Sequence, residues 1–230
     1  MSVSIVVFIF VMSTKINAQE ENNQMNHPER HSSTEFGVRF MPTFSNFEMQ
    51  TFADGTVKGE SIMGYTVGAF VGHSFNRFMG FQAEVDYSSL SRKYTKAGFE
   101  QRVNLRYIDI PLLASFNTGK HRVINLNIVA GPQLGIGVGN TVYTSGGDGT
   151  VNAQPILSVR KSTIGVAYGA GLDFGLGHNR SFRLAIGYRG VAGLMNISKN
   201  SGTAGPDSYY ILRETHITTN AVYVGFSIVL

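Results

Sequence analysis

Apolar and polar side chains alternate along eight separate segments of this 230-residue chain. This period of two restricts the possible folds of the chain more than any other feature of its sequence. The segment RSFRLAIGYRG at residues 180–190 shows the pattern, with Phe182 and Ile186 on one face. Arg183 and Arg189 lie on the opposite face. Because successive side chains of a strand point to opposite faces of a sheet, we predict an all-β protein.

The alternating segments are long. Most of them exceed the ~9–11 residues that a tilted membrane strand needs, whereas strands of soluble proteins average about 5–6 residues. The eight strands are expected at residues 35–47, 62–75, 78–91, 102–117, 122–137, 162–177, 180–195 and 217–230.

Short and long connections alternate strictly between these segments. The short connections occupy residues 76–77, 118–121 and 178–179. The long connections are rich in Gly, Ser, Thr and Asp and occupy residues 48–61, 92–101, 138–161 and 196–216. Outer membrane barrels have short periplasmic turns and longer extracellular loops. We therefore predict an eight-stranded antiparallel up-and-down transmembrane β-barrel in the bacterial outer membrane, with both termini at the periplasmic rim.

The face opposite the apolar residues mixes glycine with charges of both signs. The interior of an eight-stranded barrel is just wide enough for side chains to fill, so small residues must make room for large ones. Because buried charges persist when they are paired, we interpret the inward charges as a structural ionic network in the lumen rather than a transport path. This network comprises Arg39, Glu84, Asp86, Asp109, Asp173, Arg183 and Arg189.

A soluble lipocalin-like barrel is the structural alternative. It would place the apolar face inside, around a ligand, and would not need a face of glycine and ion pairs. Its usual Gly-x-Trp element is impossible here because the chain has no tryptophan. Charged residues make up only 15% of the chain, against about 25% in soluble domains. We therefore expect the apolar face to contact lipid.

The amino-terminal residues predict export. Residues 3–12 form an apolar run that is too short to span a bilayer as a helix, and Ala18 stands at a plausible cleavage position. We expect a signal peptide at 1–18, a flexible periplasmic tail at 19–34 and the barrel domain at 35–230. A buried first strand is the alternative. No Lys or Arg precedes the apolar run, and a misassigned start codon would explain that absence.

Several motifs resemble a known family. The segments LRYIDIPLLASF (105–116), VAGPQLGIGVG (129–139), GVAYGAGLDFGLG (165–177) and LAIGYRGVAGLMNIS (184–198) are similar to the PorT-like outer membrane β-barrel family of the Bacteroidota. FMGFQAEVDYSSL (78–90) resembles the glycine-led third strand of that family, with an inward Glu. The resemblance implies an eight-stranded membrane barrel and little about activity, because function does not follow from fold. The founding member is linked to protein secretion.

The final segment AVYVGFSIVL resembles the terminal strand signal that barrel assembly machinery reads. Many such signals end in an aromatic residue, whereas this chain ends in Leu230. We expect the assembly machinery to be a partner through this carboxy-terminal strand.

Histidine placement argues against an enzyme. Barrel enzymes that act on lipid acyl chains need His beside Ser, Asp or Glu near the outer rim. His216 is the one histidine expected there, with Ser208 and Asp207 in the same loop, and we interpret it as a surface residue. The other histidines of the predicted barrel map to the periplasmic rim: His73, His121 and His178. We expect no catalytic, cofactor or metal site.

Basic residues of the long loops form a candidate rim facing lipopolysaccharide, because Arg and Lys pair with phosphate. A solvated rim without a specific ligand is the alternative. This candidate rim comprises Lys58, Arg92, Lys93, Lys96, Arg160, Lys161, Lys199 and Arg213. Tyrosines are candidates for the aromatic girdle: Tyr65, Tyr94, Tyr143, Tyr188 and Tyr223.

These observations favour a non-enzymatic outer membrane barrel with a filled lumen, whose long extracellular loops bind, scaffold or assist secretion. A lipid-modifying barrel enzyme and a small pore are the alternatives. Expected partners are outer membrane lipids including lipopolysaccharide, the assembly machinery, and a secretion or surface complex. The net charge of +4 without a basic helix gives no reason to expect a nucleic-acid partner.

Overall fold

The computed structural model of the protein describes most of the predicted barrel. The described residues are 32–46, 49–51, 55–57, 59–96, 99–120, 122–145, 162–177, 180–195 and 216–230. The signal peptide expected at 1–18 and nearly all of the tail expected at 19–34 lie outside these residues. Within them, no helix has both the length and the apolar character that crossing a membrane requires.

The described residues form ten strands, of which eight close into one barrel. The strands are β1 (Ser33–Asn46), β2 (Met49–Thr51), β3 (Gly55–Val57), β4 (Gly59–Ser74), β5 (Met79–Lys96), β6 (Phe99–Asn117), β7 (Ile124–Ser145), β8 (Ser162–Leu176), β9 (Phe182–Gly193) and β10 (Thr218–Val229). Each barrel strand pairs antiparallel with its neighbours in the order β1-β10-β9-β8-β7-β6-β5-β4, and β2 pairs with β3 outside the barrel. The prediction of an eight-stranded antiparallel barrel is confirmed.

The barrel closes between its first and last strands. Glu35 lies opposite Val229, and pairing continues along the seam to Asn46 opposite Thr218. Because the first and last barrel strands are hydrogen-bonded to each other in this ladder, neither of them leaves an open sheet edge facing lipid.

Side-chain direction follows the expected alternation, with the apolar face outside. Phe81, Leu112 and Ile186 are more than half exposed, whereas Glu84 and Arg183 are buried in the lumen. In a soluble barrel the accessible surface would carry the charges instead. The surface of this barrel therefore matches the hydrocarbon core of a membrane.

Short turns join the strands at the periplasmic end, as predicted. In the β4–β5 turn, the Asn76 carboxamide oxygen accepts hydrogen bonds from the backbone N–H groups of Phe78 and Met79, each at 2.8 Å. The next two turns each place a glycine at positive φ, Gly119 at 136° and Gly177 at 75°. Glycine adopts these backbone angles without the steric penalty that a Cβ brings.

Three strands run further toward the extracellular side than predicted. The stretch 92–101 was expected to be a loop, but β5 continues to Lys96 and β6 begins at Phe99. β7 likewise continues from the predicted end at 137 to Ser145. The β5 extension reads RKYTK and the β7 extension reads VGNTVYTS, and neither alternates strictly between apolar and polar residues.

We predict that Ile186→Arg lowers the free energy of unfolding by about 2–4 kcal/mol, because it places a charge on the lipid face near the middle of β9. Urea unfolding in lipid vesicles measures this change. Leu176→Arg, at the periplasmic end of β8, is the matched control and should cost about 0–1 kcal/mol. Equal costs at the two positions would contradict the assigned membrane depth.

Candidate functional site

The most heavily charged part of the structure is the middle of the lumen, where one carboxylate serves two arginines. Glu84 of β5 accepts a hydrogen bond from Arg39 Nη1 of β1 at 2.7 Å. Arg189 of β9 donates to both Glu84 oxygens, at 2.9 and 3.2 Å. Gln82 also donates to Glu84 and accepts from Arg39. We call these four residues the Glu84 layer, and it crosses the lumen between opposite walls of the barrel.

Aromatic rings complete the surroundings of Arg39. Its guanidinium carbon lies 4.0 Å from the centre of the Phe70 ring and 5.0 Å from that of Tyr223. Rings at this distance attract the cation and exclude water from it. The prediction that Tyr223 belongs to the outer aromatic girdle is wrong, because its side chain points inward and is buried. Tyr65 and Tyr188 are exposed on the outer surface.

A second ion pair lies near the periplasmic end. Lys120 Nζ lies 2.5 Å from Glu35 Oε2, and Ser227 donates to the other Glu35 oxygen at 2.6 Å. Sequence reasoning missed both charged residues. The alternation along β1 places Glu35 on the inward face with Arg39, so the sequence did contain the information needed to predict an inward Glu35. Lys120 lies in a turn, where the period of two says nothing about side-chain direction.

Arg183 differs from the expectation that it would pair with a carboxylate. Its guanidinium donates to the backbone oxygen of Lys120, to that of Arg122 at 3.3 Å and to that of Asp173 at 3.1 Å. No carboxylate oxygen of a described residue makes a salt bridge to it, although the Asp173 and Glu35 carboxylates attract it electrostatically. Arg183 instead satisfies carbonyl groups of the β6–β7 turn that would otherwise be buried without a donor.

Asp173 lies beside Arg183 and is hydrogen-bonded to a network of neutral amide side chains. Its carboxylate accepts from Asn125 Nδ2 at 2.8 Å. Asn125 also donates to the oxygen of Asn117 at 3.0 Å, and Asn127 donates to that same oxygen at 2.9 Å. Amide side chains thus fill the periplasmic third of the lumen, and Asp173 takes its hydrogen bond from one of them.

The extracellular half of the lumen contains a cavity of about 60 Å³. Asp109 accepts a hydrogen bond from Ser88 at 2.6 Å, and Thr66 donates to Ser88 at 3.0 Å. Asp86 also lines this cavity, directly opposite Asp109 in the β5–β6 ladder. In the described part of the chain, no hydrogen bond or salt bridge reaches the Asp86 carboxylate. The guanidinium groups of Arg189 and Arg39 nevertheless attract this carboxylate electrostatically.

A sequence model of the outer membrane protein β-barrel domain family matches residues 17–199, which is most of the chain. The chain belongs to this family. The matched range includes every barrel strand from β1 to β9, and β10 lies beyond it. Family membership and the exposed apolar band together locate the protein in the bacterial outer membrane. No curated protein sequence matches the chain.

Solved structures of outer membrane barrels resemble this family member in fold. The outer membrane protein OprG from Pseudomonas aeruginosa aligns with a TM-score of 0.54 at 13% identity, over 86% of this chain and 95% of that chain. Neisserial surface protein A aligns with a TM-score of 0.44 at 12% identity, over 84% and 96%. The attachment protein Ail of Yersinia pestis aligns with a TM-score of 0.40 at 13% identity, over 86% and 99%. At such identities the likeness to OprG supports the fold alone.

The structure describes three of the eight residues of the candidate basic rim of this outer membrane barrel, Arg92, Lys93 and Lys96. Arg92 is buried on the inward face of β5, and its Nη1 donates to the Asn46 side-chain oxygen at 2.9 Å, so its assignment to lipopolysaccharide is wrong. Lys93 is half-buried on the outward face, and the backbone of Lys96 lies in β5. The other proposed rim residues lie outside the described residues: Lys58, Arg160, Lys161, Lys199 and Arg213.

Two arginines of β6, which the sequence analysis did not select, are exposed on the outer face. They are Arg102 and Arg106, and Arg106 donates to Thr141 of β7 at 2.8 Å. The alternation along β6 placed both on the lipid-facing side of the strand. Both arginines lie on the extracellular side of Ile108, the last apolar outward residue of β6, and this position in the sequence could have identified them.

His216 is exposed at the extracellular end of the described chain, whereas Ser208 and Asp207, His121 and His178 lie outside the described residues. His73 faces outward at the periplasmic end, 3.2 Å from the Thr34 hydroxyl. No group of three or more metal-binding side chains occurs among the residues that the structure describes.

We predict that Glu84→Ala lowers the free energy of unfolding in vesicles by about 3–5 kcal/mol, because two buried guanidinium groups lose their carboxylate. Arg39→Ala and Arg189→Ala should each cost less than Glu84→Ala, since Glu84 keeps its other partner. Removing both arginines should cost more than the two single changes added together, because Glu84 is then buried unpaired.

Arg102→Ala, on the outer surface, is the control for loss of an arginine, and it should change stability by less than about 0.5 kcal/mol. Additive effects of Arg39→Ala and Arg189→Ala would show that the two arginines do not share one carboxylate.

Proposed function

We propose that this outer membrane barrel is a non-enzymatic binding or scaffolding protein that acts through the part of its sheet outside the membrane. The observation that carries the proposal is a four-stranded extension beyond the apolar band. Outward side chains of β5 are apolar up to Tyr87 and then change to Ser89 and Ser91. Beyond that level the strand continues to Lys96.

Among the described residues, the extension is formed by β4, β5, β6 and β7. β4 pairs with β5 as far as Gly59 opposite Tyr94, and β6 pairs with β7 as far as Glu100 opposite Ser145. On the other side, β9 ends at Gly193, and the described part of β8 starts at Ser162, opposite Ile136 of β7. We call the part of β4–β7 that lies beyond this level the tall wall. A hydrogen-bonded sheet holds a surface in place better than a loop does, which suits a binding platform.

The filled lumen favours this role over that of a small pore. The Glu84 layer joins β1, β5 and β9 through charged hydrogen bonds, and Asn125 and Arg183 fill the space below it. An eight-stranded barrel leaves little room beyond what side chains fill. Solutes would have to break buried ion pairs in order to pass.

Outward basic residues favour phosphorylated lipid as one partner of the tall wall. Ile108 is the last apolar outward residue of β6, and Arg106 and Arg102 follow on the same face. Lys93 lies opposite Arg102 in the β5–β6 ladder. Glu60 lies opposite Lys93 on the β4 side, and Arg and Lys bind phosphate oxygens well. Lipopolysaccharide phosphates would occupy this level of the membrane.

The motifs quoted for the PorT-like family of the Bacteroidota support a narrower assignment within the outer membrane barrels. IDIPLL lies on β6 and AGPQLG on β7, where Pro111 lies opposite Gln133. The proposal therefore includes a surface or secretion-associated complex as the protein partner. It also includes recognition of β10 by the barrel assembly machinery, since β10 has outward Val222, Val224 and Phe226.

A crosslinking experiment tests the binding role. A photoreactive residue at position 104, on the outer face of the tall wall, should form crosslinks to a protein or to lipopolysaccharide in intact outer membranes. Position 112, outward on the same strand but inside the apolar band, is the matched control and should crosslink to lipid only. Identical products at the two positions would contradict the proposed platform.

The pore alternative has its own measurement. We predict that the purified barrel passes few or no ions in planar bilayers, because the Glu84 layer spans the lumen. Steady large conductance steps from the wild-type chain would favour the pore. Turnover of labelled lipid A would favour the lipid-modifying enzyme instead.

A further inference from the structure

We propose that the periplasmic end of the barrel binds the phosphate of an acidic phospholipid headgroup between Arg77 and Arg122. Arg77 belongs to the β4–β5 turn and Arg122 to the β6–β7 turn, and both side chains are exposed. The two turns lie side by side, because the backbone N–H of Asn117 donates to the backbone oxygen of Phe78 at 2.7 Å. This site lies at the end of the barrel opposite the tall wall, and it does not depend on the binding role proposed for that wall.

Gly119 lies between the two arginines. A Cβ at Gly119 would lie 3.4 Å from Arg77 Nε and 3.6 Å from Arg122 Cγ, so both side chains pass over the same glycine. The positive φ of Gly119 also favours glycine at this position. The turn thus holds two like charges close to one point of the surface. An anion that contacts both guanidinium groups would offset their repulsion.

No acidic side chain of the described residues neutralises this pair. The salt bridges in the described part of the barrel do not include Arg77 or Arg122. Glu35 and Asp173 are the carboxylates that the structure describes near this end, and both are buried in the lumen. Glu35 is already paired with Lys120. The charges exposed on the described turns are therefore positive, which suits an anionic partner.

Apolar neighbours place the two arginines at the boundary of the hydrocarbon core. Phe78 directly follows Arg77, Val123 directly follows Arg122, and both apolar side chains are more than half exposed. The guanidinium carbon of Arg77 lies 5.5 Å from the centre of the Phe78 ring. Phe81, outward on β5, continues this apolar surface toward the middle of the membrane. Arginines at such a boundary pack their methylene groups against apolar surface and hold their charge at the level of the lipid headgroups.

The chemistry of the two turns selects the occupant. Guanidinium groups bind phosphate oxygens through paired, charge-assisted hydrogen bonds. Two positive charges favour a headgroup of net negative charge, such as phosphatidylglycerol, over phosphatidylethanolamine, whose ammonium group they repel. The exposed rings of Phe78 and Phe81 would contact acyl chains, which a free phosphate ion lacks. The occupant is therefore an acidic phospholipid of the periplasmic leaflet.

Competitive lipid binding to the full-length barrel tests the proposal. The purified barrel in detergent receives equal amounts of phosphatidylglycerol and phosphatidylethanolamine with the same acyl chains, and native mass spectrometry identifies the lipids that stay bound. We expect the wild-type chain to retain phosphatidylglycerol in preference to phosphatidylethanolamine. Excess glycerol 3-phosphate, which is water-soluble, should not displace the lipid, because it makes no contact with the phenylalanine rings.

Four variants locate the phosphate. Arg77→Gln and Arg122→Gln should each weaken retention of phosphatidylglycerol by about fivefold, the effect of one basic residue on binding to acidic lipid. Arg77→Lys should weaken it less than Arg77→Gln, because it keeps the charge and loses the paired hydrogen bonds. Arg180→Gln is the matched control, since it removes the same charge from the exposed β8–β9 turn, and it should leave retention unchanged.

The proposal is overturned if the wild-type chain retains the two lipids equally, or if glycerol 3-phosphate displaces phosphatidylglycerol. It is also overturned if Arg77→Gln and Arg122→Gln retain phosphatidylglycerol as the wild type does. Equal losses from Arg77→Gln and Arg180→Gln would show that the charge of the whole rim, and no local site, attracts the lipid. Heat-modifiable gel mobility shows which variants are folded. Because the two arginines lie on separate turns, either variant alone decides the result if the other does not fold.

Discussion

Lipid offers no hydrogen-bond partner to a peptide group, so each strand that crosses the membrane must find its partners in the sheet itself. The ladder between β1 and β10 meets this requirement, because it joins the two strands that would otherwise be edges. Closure with eight strands then sets the width of the lumen. The inward residues, the ion pairs and the cavity all follow from that width.

A lumen of this width leaves no place for a column of bulk water, so its charges must be satisfied by one another. Glu84 holds Arg39 and Arg189 from opposite walls, which links strands that are not neighbours in the sheet. Lys120 does the same between the β6–β7 turn and Glu35 of β1. These contacts act across the barrel, whereas the ladders act around it, and together they resist both flattening and shear.

The period of two was enough to predict the eight strands of the barrel and most of the charges that face inward, because lipid on one side and a narrow lumen on the other impose it. It did not predict the short β2–β3 pair within residues 48–61. It could not predict partners, since Arg183 and Arg189 have the same pattern but different heights in the barrel. Arg183 lies level with the β6–β7 turn and binds its carbonyl groups, while Arg189 lies level with Glu84. The strand extensions past Arg92 and Gly137 were missed because their sequences lack a strict alternation of apolar and polar residues. Lys120 was missed because a turn has no alternation.

The tall wall has a consequence for how the protein lies among its neighbours. A plain cylinder presents the same profile to every direction in the plane of the membrane, so nothing distinguishes one side from another. Among the described residues, the sheet rises furthest on the β4–β7 side, where β7 continues to Ser145, whereas β9 ends at Gly193, opposite Gly165 of β8. The barrel therefore has a front and a back. A large assembly that bound the raised side would fix the rotation of the barrel about the membrane normal. It would thereby also determine which lipids and proteins contact the opposite side.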